Sequence, residues 1–241
     1  MDDYKFLNIP ENCYTGSTIY KKLFYENANL SSGDKSLFTD AVNKIVWLYC
    51  LKPETINIPV YKDEVREYPE IEVIEVLLHK DYRLNRIAEI IMRTIPYPML
   101  LIFRLENKRR FYVAHQRTSQ SDSSKNTIEE FIATGWLESD SALLSKLDIR
   151  KMRFTNFYTL YSDIVDAISI YNLSAIMPTD DTITGAKARE LSAKIEDIEQ
   201  RIATLRSKLK KESQFNRKME LNIEIKRLEQ RKNKLLGGDN E

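Results

Sequence analysis

The sequence predicts an α+β protein, a mixed β-sheet of four to five strands packed with helices, followed by a C-terminal α-helical coiled-coil hairpin. Three observations carry that reading. Apolar runs of strand type, Glu70–Lys80 and Met99–Leu105, flank a helically spaced set, Leu84, Ile87, Ile90 and Ile91. Near the C-terminus, Leu191, Ile195, Ile198, Ile202, Leu205 and Leu209 recur at the a/d spacing that places one apolar seam along a helix. Composition also changes at Gly185: every tryptophan, every tyrosine and all seven prolines lie before it.

The expected organisation is therefore a globular domain over 1–176, a linker over 177–185, a helical hairpin over 186–236 and a disordered tail over 237–241. Charge divides at the same place. The chain has 37 Lys+Arg, 36 Asp+Glu and a net charge of +1; residues 186–241 hold 15 and 10 of these, a net of +5, leaving 22 and 26 for residues 1–185, a net of −4.

Taken in order, Ser17–Asn27 reads as a short helix with Ile19, Leu23 and Phe24 on one face. Gly33–Leu51 reads as a longer helix, its apolar side formed by Leu37, Val42, Ile45, Trp47, Leu48 and Tyr49, stopped by Lys52-Pro53. Thr55–Val60 is a β-branched run interrupted by Pro59, hence at best an edge strand. Glu70–Lys80 is a central strand and Asp81–Thr94 a helix, ending at Ile95-Pro-Tyr-Pro98, where either X-Pro bond is open to the cis form. Met99–Leu105 is a buried strand; Arg110–Thr118 and Thr127–Leu137 are antiparallel partners joined by a polar, mobile loop over 119–126. Phe154–Leu173 is a helix. After the first C-terminal seam, Leu221, Ile225, Leu228 and Leu235 form a second, out of register across Lys211–Arg217. A register break either reverses the chain or continues it through a stutter as one rod. The hairpin is the preferred form, with Ser213 or Asn216 as cap; self-association through the same seam competes with it.

Several classes are excluded by absence of signal. There is no GxGxxG, GxxxxGK[ST] or GxSxG, and six glycines leave little for a phosphate cradle, so no cofactor is expected. His79 and His115 are the only histidines, and Cys13 and Cys50 lack metal-ligand spacing. Cys50, following an apolar helix face, reads as core rather than as half of a Cys–His pair. No run of ~18 apolar residues spans a membrane, and the N-terminus carries no secretory signal, so a cytoplasmic protein with reduced cysteines is expected.

Two patterns retain chemical interest. Period-two geometry on the strand from Glu70 places Glu75 among Ile71, Val73 and Leu77, and Glu72 on the opposite face. A carboxylate between apolar neighbours must be paired or bear a desolvation cost. Glu72 or Glu75, with Lys80 or Lys108, is the available set for a Mg²⁺-dependent nuclease, which needs an acid and then acid-x-Lys on adjoining strands. The strand Met99–Leu105 carries no such tripeptide, and Glu106-Asn-Lys108 falls in an expected turn. The alternative leaves Glu70 and Glu72 as solvent-facing or edge residues and Glu75 salt-bridged. The second pattern is basic: Lys21 and Lys22 beside Phe24 and Tyr25; Arg104, Lys108, Arg109 and Arg110 crowded at one turn beside Phe111 and Tyr112; and Lys208, Lys210, Lys211, Arg217 and Lys218 around the register break. Such groups can meet phosphate or an acidic partner, or only keep a surface solvated.

The succession Leu7-Asn-Ile-Pro10, Tyr20–Phe24, Asp34–Phe38, Ile45-Val-Trp47, Leu51–Ile58 and Ile95-Pro-Tyr-Pro98, with Glu212–Lys218 and Leu221-Asn222 in the tail, resembles the prokaryotic domain-of-unknown-function family DUF4391. The resemblance transfers no catalytic residue. It implies a setting beside helicases and methyltransferases of restriction-modification-like defence systems. The expectation is then a non-catalytic accessory subunit docking on a helicase or methyltransferase subunit through its α+β body and its C-terminal coiled coil, with a divergent Mg²⁺-dependent nuclease-like domain or a DNA-contacting module as alternatives.

Overall fold

The computed structural model describes residues 2–118 and 126–237. The expected loop over 119–126 and the tail fall almost wholly outside them. In chain order the elements are 3-10 turns at Asp2–Leu7 and Glu11–Cys13, β1 (Tyr14–Ile19), α1 (Lys21–Asn27), α2 (Ser32–Ala41), β2 (Val42–Leu51), α3 (Pro53–Ile56), β3 (Tyr61–Lys62), β4 (Glu67–Tyr68), β5 (Ile71–Leu78), α4 (Leu84–Thr94), β6 (Met99–Leu105), β7 (Lys108–Thr118), β8 (Asn126–Ala133), α5 (Ala142–Lys146), a 3-10 turn at Ile149–Lys151, α6 (Phe157–Ser174), α7 (Gly185–Lys211) and α8 (Phe215–Leu235). The chain divides into two units, Met1–Ile168 and Ser169–Glu241.

The first unit is of the α+β class. Its sheet has six strands in the order β1-β2-β5-β6-β7-β8, with a separate two-stranded β3-β4 pair, somewhat more than the four or five expected. Only the β5–β6 pairing is parallel, because α4 carries the chain back across the sheet between them; every other neighbour is antiparallel. One face buries Ile74, Val76, Leu101, Phe103 and Tyr112 against Phe24 of α1, Phe38 of α2, and Ile87 and Ile91 of α4. On the other, the Tyr161 hydroxyl of α6 donates to Met99 O at 2.9 Å and accepts from Ala114 N at 3.1 Å, and Phe6 meets Phe111 edge-on. A sheet covered on both faces needs apolar residues at nearly every position, which is why β5 and β6 read as continuous runs rather than alternations.

Such runs mislead a search by periodicity, and β2 is the case in point. Gly33–Leu51 is not one helix: α2 ends at Ala41, and Val42–Leu51 is a strand between β1 and β5. Its Ile-Val-Trp-Leu-Tyr-Cys-Leu run fits a helix face and a doubly buried strand equally well, and burial between two neighbours decides for the strand. Of Ser17–Asn27 only 21–27 is helical; Tyr14–Ile19 is the edge strand β1. There the register shifts between Tyr14 and Ser17 around Gly16, whose φ of +63° lies in the left-handed region that favours glycine and where a Cβ would come 2.7 Å from the Tyr14 hydroxyl oxygen. Thr55–Val60 is not an edge strand either: Pro53–Ile56 makes one helical turn, closed by Asn57 in the left-handed region at φ 51°. Peptide bonds among the described residues are trans, those before Pro96 and Pro98 included.

In the second unit, Thr184 caps α7 by accepting from Lys187 N at 3.2 Å. The segment expected as a linker contributes Met177 and Ile183 to a small core with Leu173, Ala188, Ile195 and Leu191. Helices α7 and α8 form an antiparallel hairpin: Ile198, Ile202, Leu205 and Leu209 pack against Ile225, Leu228 and Leu235, so both seams meet each other. The reversal is made by Glu212-Ser-Gln214, where Glu212 Oε1 accepts from Ser213 N at 2.8 Å and Gln214 N at 2.9 Å. That carboxylate replaces the expected Ser213 or Asn216 cap, and Gln214 at the cap position makes no side-chain bond. No helix among the described residues is long and apolar enough to cross a membrane.

Candidate functional site

Strand β5 puts its two central carboxylates on opposite faces, as period-two geometry requires. Glu75, 6% exposed, accepts from the Tyr4 hydroxyl and lies 3.3 Å from Arg104 Nε. Arg104 also holds Asp3 at 2.5 Å, and Arg109 donates to Asp3 O at 3.3 Å while lying over the Tyr4 ring. Burial, followed by the charge of Glu75, pushes the Tyr4 hydroxyl well above the ordinary phenol range, so it stays a donor. This is a closed network of two acids, two guanidinium groups and a phenol, the salt-bridged form of Glu75.

Glu72, 2% exposed, is not solvent-facing. Trp47 Nε1 of β2 donates to its Oε2 at 2.5 Å, and the Cys50 thiol lies 3.7 Å from both Glu72 Oε1 and Glu70 Oε2. The contact follows from register: Cys50 stands opposite Glu72 in the β2–β5 ladder, with Glu70 two residues earlier on the same side. Desolvation raises the Glu72 carboxyl to about 8, the nearby Glu70 adding to it and the indole N–H opposing. Burial first, then the two carboxylates, pushes the Cys50 thiol up to about 12. Both shifts favour the protonated forms of the thiol and the acid, which is not a nucleophile's environment. The ligand atoms of Cys50, Glu70 and Glu72 lie within 4.8 Å of one another, close enough for one ion, but a thiolate beside carboxylates does not suit Mg²⁺, a hard cation.

The lysines proposed to complete a nuclease set are elsewhere. Lys80 pairs with Asp40 at 3.9 Å and lies beyond the C-terminal end of β5, five residues on from Glu75. Lys108 opens β7 after the turn at Glu106-Asn107 and pairs with Glu138 at 3.1 Å. Adjacent residues of a strand point to opposite faces, so the basic crowd at this turn disperses: Arg109 turns to Tyr4 and Asp3, Arg110 to the Tyr112 ring on the other side at 5.1 Å. Lys21 is also committed, donating to Val42 O at 2.6 Å, and Lys22 pairs with Glu26 at 3.4 Å.

The hairpin tip differs. Lys208, Lys210, Lys211, Arg217 and Lys218 are exposed, and none makes an ion pair within 4.0 Å among the described residues. Lys208, Lys211 and Arg217 line a groove with Glu212, Glu220 and Glu224. Sequence reasoning placed these cations together and missed two other features: the Cys50–Glu70–Glu72 cluster, hidden by reading β2 as a helix, and the outward side of α8, whose Phe215, Met219 and Ile223 are exposed.

Neither a curated protein nor a solved structure matches the chain. One sequence family does, described as Domain of unknown function (DUF4391), over residues 7–231, which takes in the sheet with its buried acids and nearly all of the hairpin. With almost its whole length matched, the chain belongs to the DUF4391 family.

Proposed function

We propose that the protein is a non-catalytic accessory subunit of a prokaryotic defence system, binding a helicase or methyltransferase subunit with its hairpin as the principal contact. The observation that carries this is the set of five cations at the hairpin tip without an ion pair among the described residues, in a chain whose candidate acids and lysines in the first unit do not converge. Exposed cations without an ion partner within 4.0 Å have no existing salt bridge to break and can form new charge-assisted contacts. The defence setting rests on the family resemblance alone. Size-exclusion chromatography of the full chain with the purified helicase or methyltransferase subunit encoded beside it tests the reading. Co-elution is expected; a chain that elutes alone with each of them overturns it.

A second reading has the same five cations meeting DNA phosphate. It requires binding that falls with salt at a log–log slope of about −0.9 per phosphate. Association that is absent or insensitive to salt removes it.

A further inference from the structure

Helix α8 has two chemically distinct sides. Toward α7 it presents Leu221, Ile225, Leu228 and Leu235, and two of its three glutamates reach across that side: Glu229 lies 2.7 Å from Arg206 and Glu224 lies 3.9 Å from Arg201. The third, Glu220, lines the tip groove. On the outward side Phe215, Met219 and Ile223 stand four residues apart, 73%, 47% and 49% exposed. That spacing places them in one row along the helix. A single exposed apolar residue is ordinary, but a contiguous row marks a contact surface.

The remaining positions of the same row are Lys218, Asn222, Lys226 and Arg227, three or four residues on from each apolar member. The three cations are exposed and make no ion pair among the described residues. Helix α8 as a whole carries seven Lys+Arg against three Glu, a net of +4; Glu229, three residues on from Lys226, reaches Arg206 of α7 at 2.7 Å, and Glu220 stands three residues before Ile223. The outward side is thus an apolar ridge flanked by cations in excess over acids.

Charge and polarity together select what covers it. A second copy joined through the same side would set Lys218, Lys226 and Arg227 against their own kind, a repulsive arrangement. Duplex DNA, its bases stacked within the helix, would neutralise the cations but give Phe215, Met219 and Ile223 no apolar partner. A helix with apolar residues at heptad spacing and Asp or Glu flanking them satisfies both requirements, and α8, at 21 residues, is about 32 Å long, room for three heptads. We propose that the outward side of α8 docks an acidic amphipathic helix of a partner protein. This rests on the accessory-subunit reading and adds the chemistry of the partner's contact element.

The test is a fluorescence-anisotropy titration of the full chain with a labelled synthetic peptide of about three heptads, Leu at a and d and Glu at e and g. The expected result is saturable binding, at least about tenfold tighter than that of the same peptide with Lys at e and g. Met219→Asp and Ile223→Asp, at exposed sites with unchanged circular dichroism, should each weaken it about tenfold. The triple variant K218E/K226E/R227E should prefer the Lys peptide. Absence of binding, binding indifferent to M219D and I223D, or tighter binding of duplex DNA or of phosphatidylglycerol vesicles overturns the proposal. Co-elution separates the two levels: if the I223D chain still co-elutes with the partner subunit as the wild type does, the docking side is wrong and the accessory reading stands. If the wild-type chain does not co-elute, the accessory reading itself fails.

Discussion

The buried charges of the sheet and the exposed charges of the hairpin are organised in opposite ways. In the body, buried acids close on partners within the body: Glu75 on Arg104 and Tyr4, Glu72 on Trp47, and Asp34 on Arg86, whose guanidinium holds that carboxyl well below the usual range. On the hairpin, Lys208, Lys210, Lys211, Arg217, Lys218, Lys226 and Arg227 are exposed and make no ion pair within 4.0 Å among the described residues. Desolvating a charge inside a fold is costly, so a buried charge must be satisfied where it stands. A charge left in water contributes little to stability and remains available. The contrast separates residues tied into the fold from residues left available for contacts, although sequence alone groups them as charged.

Breaking the body network should have the largest effect. Glu75→Ala leaves the buried Tyr4 hydroxyl without its acceptor and removes one of the two carboxylates on Arg104, and should cost about 2–3 kcal/mol, the part-exposed Arg104 being screened by water. Urea denaturation measures it; a change near zero would make Glu75 free for chemistry. The Glu72 carboxyl gives a signed pH dependence. Its folded-state value, about 8, lies above the ordinary 4.5, so the folded state holds the proton more tightly. That contribution is complete below about pH 4.5 and is lost as pH rises toward 8. Glu72→Gln, which keeps the acceptor for Trp47 but cannot ionise, should flatten the decline across this window and be the more stable protein at its upper end. A parallel decline in both proteins would show that Glu72 is not the group responsible.

A smaller effect concerns the edge of the sheet. Gly16→Ala forces a side chain into the left-handed region beside the Tyr14 ring and should cost about 1 kcal/mol, read as a lowered thermal midpoint. The smallest effect sharpens the comparison most. Replacing Lys208, Lys210, Lys211, Arg217 and Lys218 together by Gln should shift stability by less than about 0.5 kcal/mol, because no contact in the fold is removed. A large loss would mean that the tip cations hold the hairpin together.

The parts of the fold with one dominant period were legible in the sequence. Leu84, Ile87, Ile90 and Ile91 announce α4, and the two seams announce α7 and α8 because their mismatch has room to reverse at Glu212-Ser-Gln214. Strand β2 was not legible: with apolar residues at almost every position, Ile45–Leu51 carries no period to distinguish a helix from a strand buried on both sides. That single ambiguity concealed the best-formed polar cluster of the body, since Cys50 meets Glu70 and Glu72 only through the β2–β5 register. The basic crowd at Lys108–Arg110 was misleading for a related reason, because neighbours in a strand part to opposite faces. The ridge at Phe215, Met219 and Ile223 was present in the spacing all along, but a second apolar row becomes visible only once the first is known to be occupied.

The division between body and hairpin is tested most directly by one paired measurement on the five-Gln variant of the tip, its affinity for the partner subunit and its unfolding midpoint in urea. Affinity at least about tenfold below wild type with the midpoint unchanged is the expected result. Wild-type affinity in that variant would contradict the assignment of the hairpin as the contact surface.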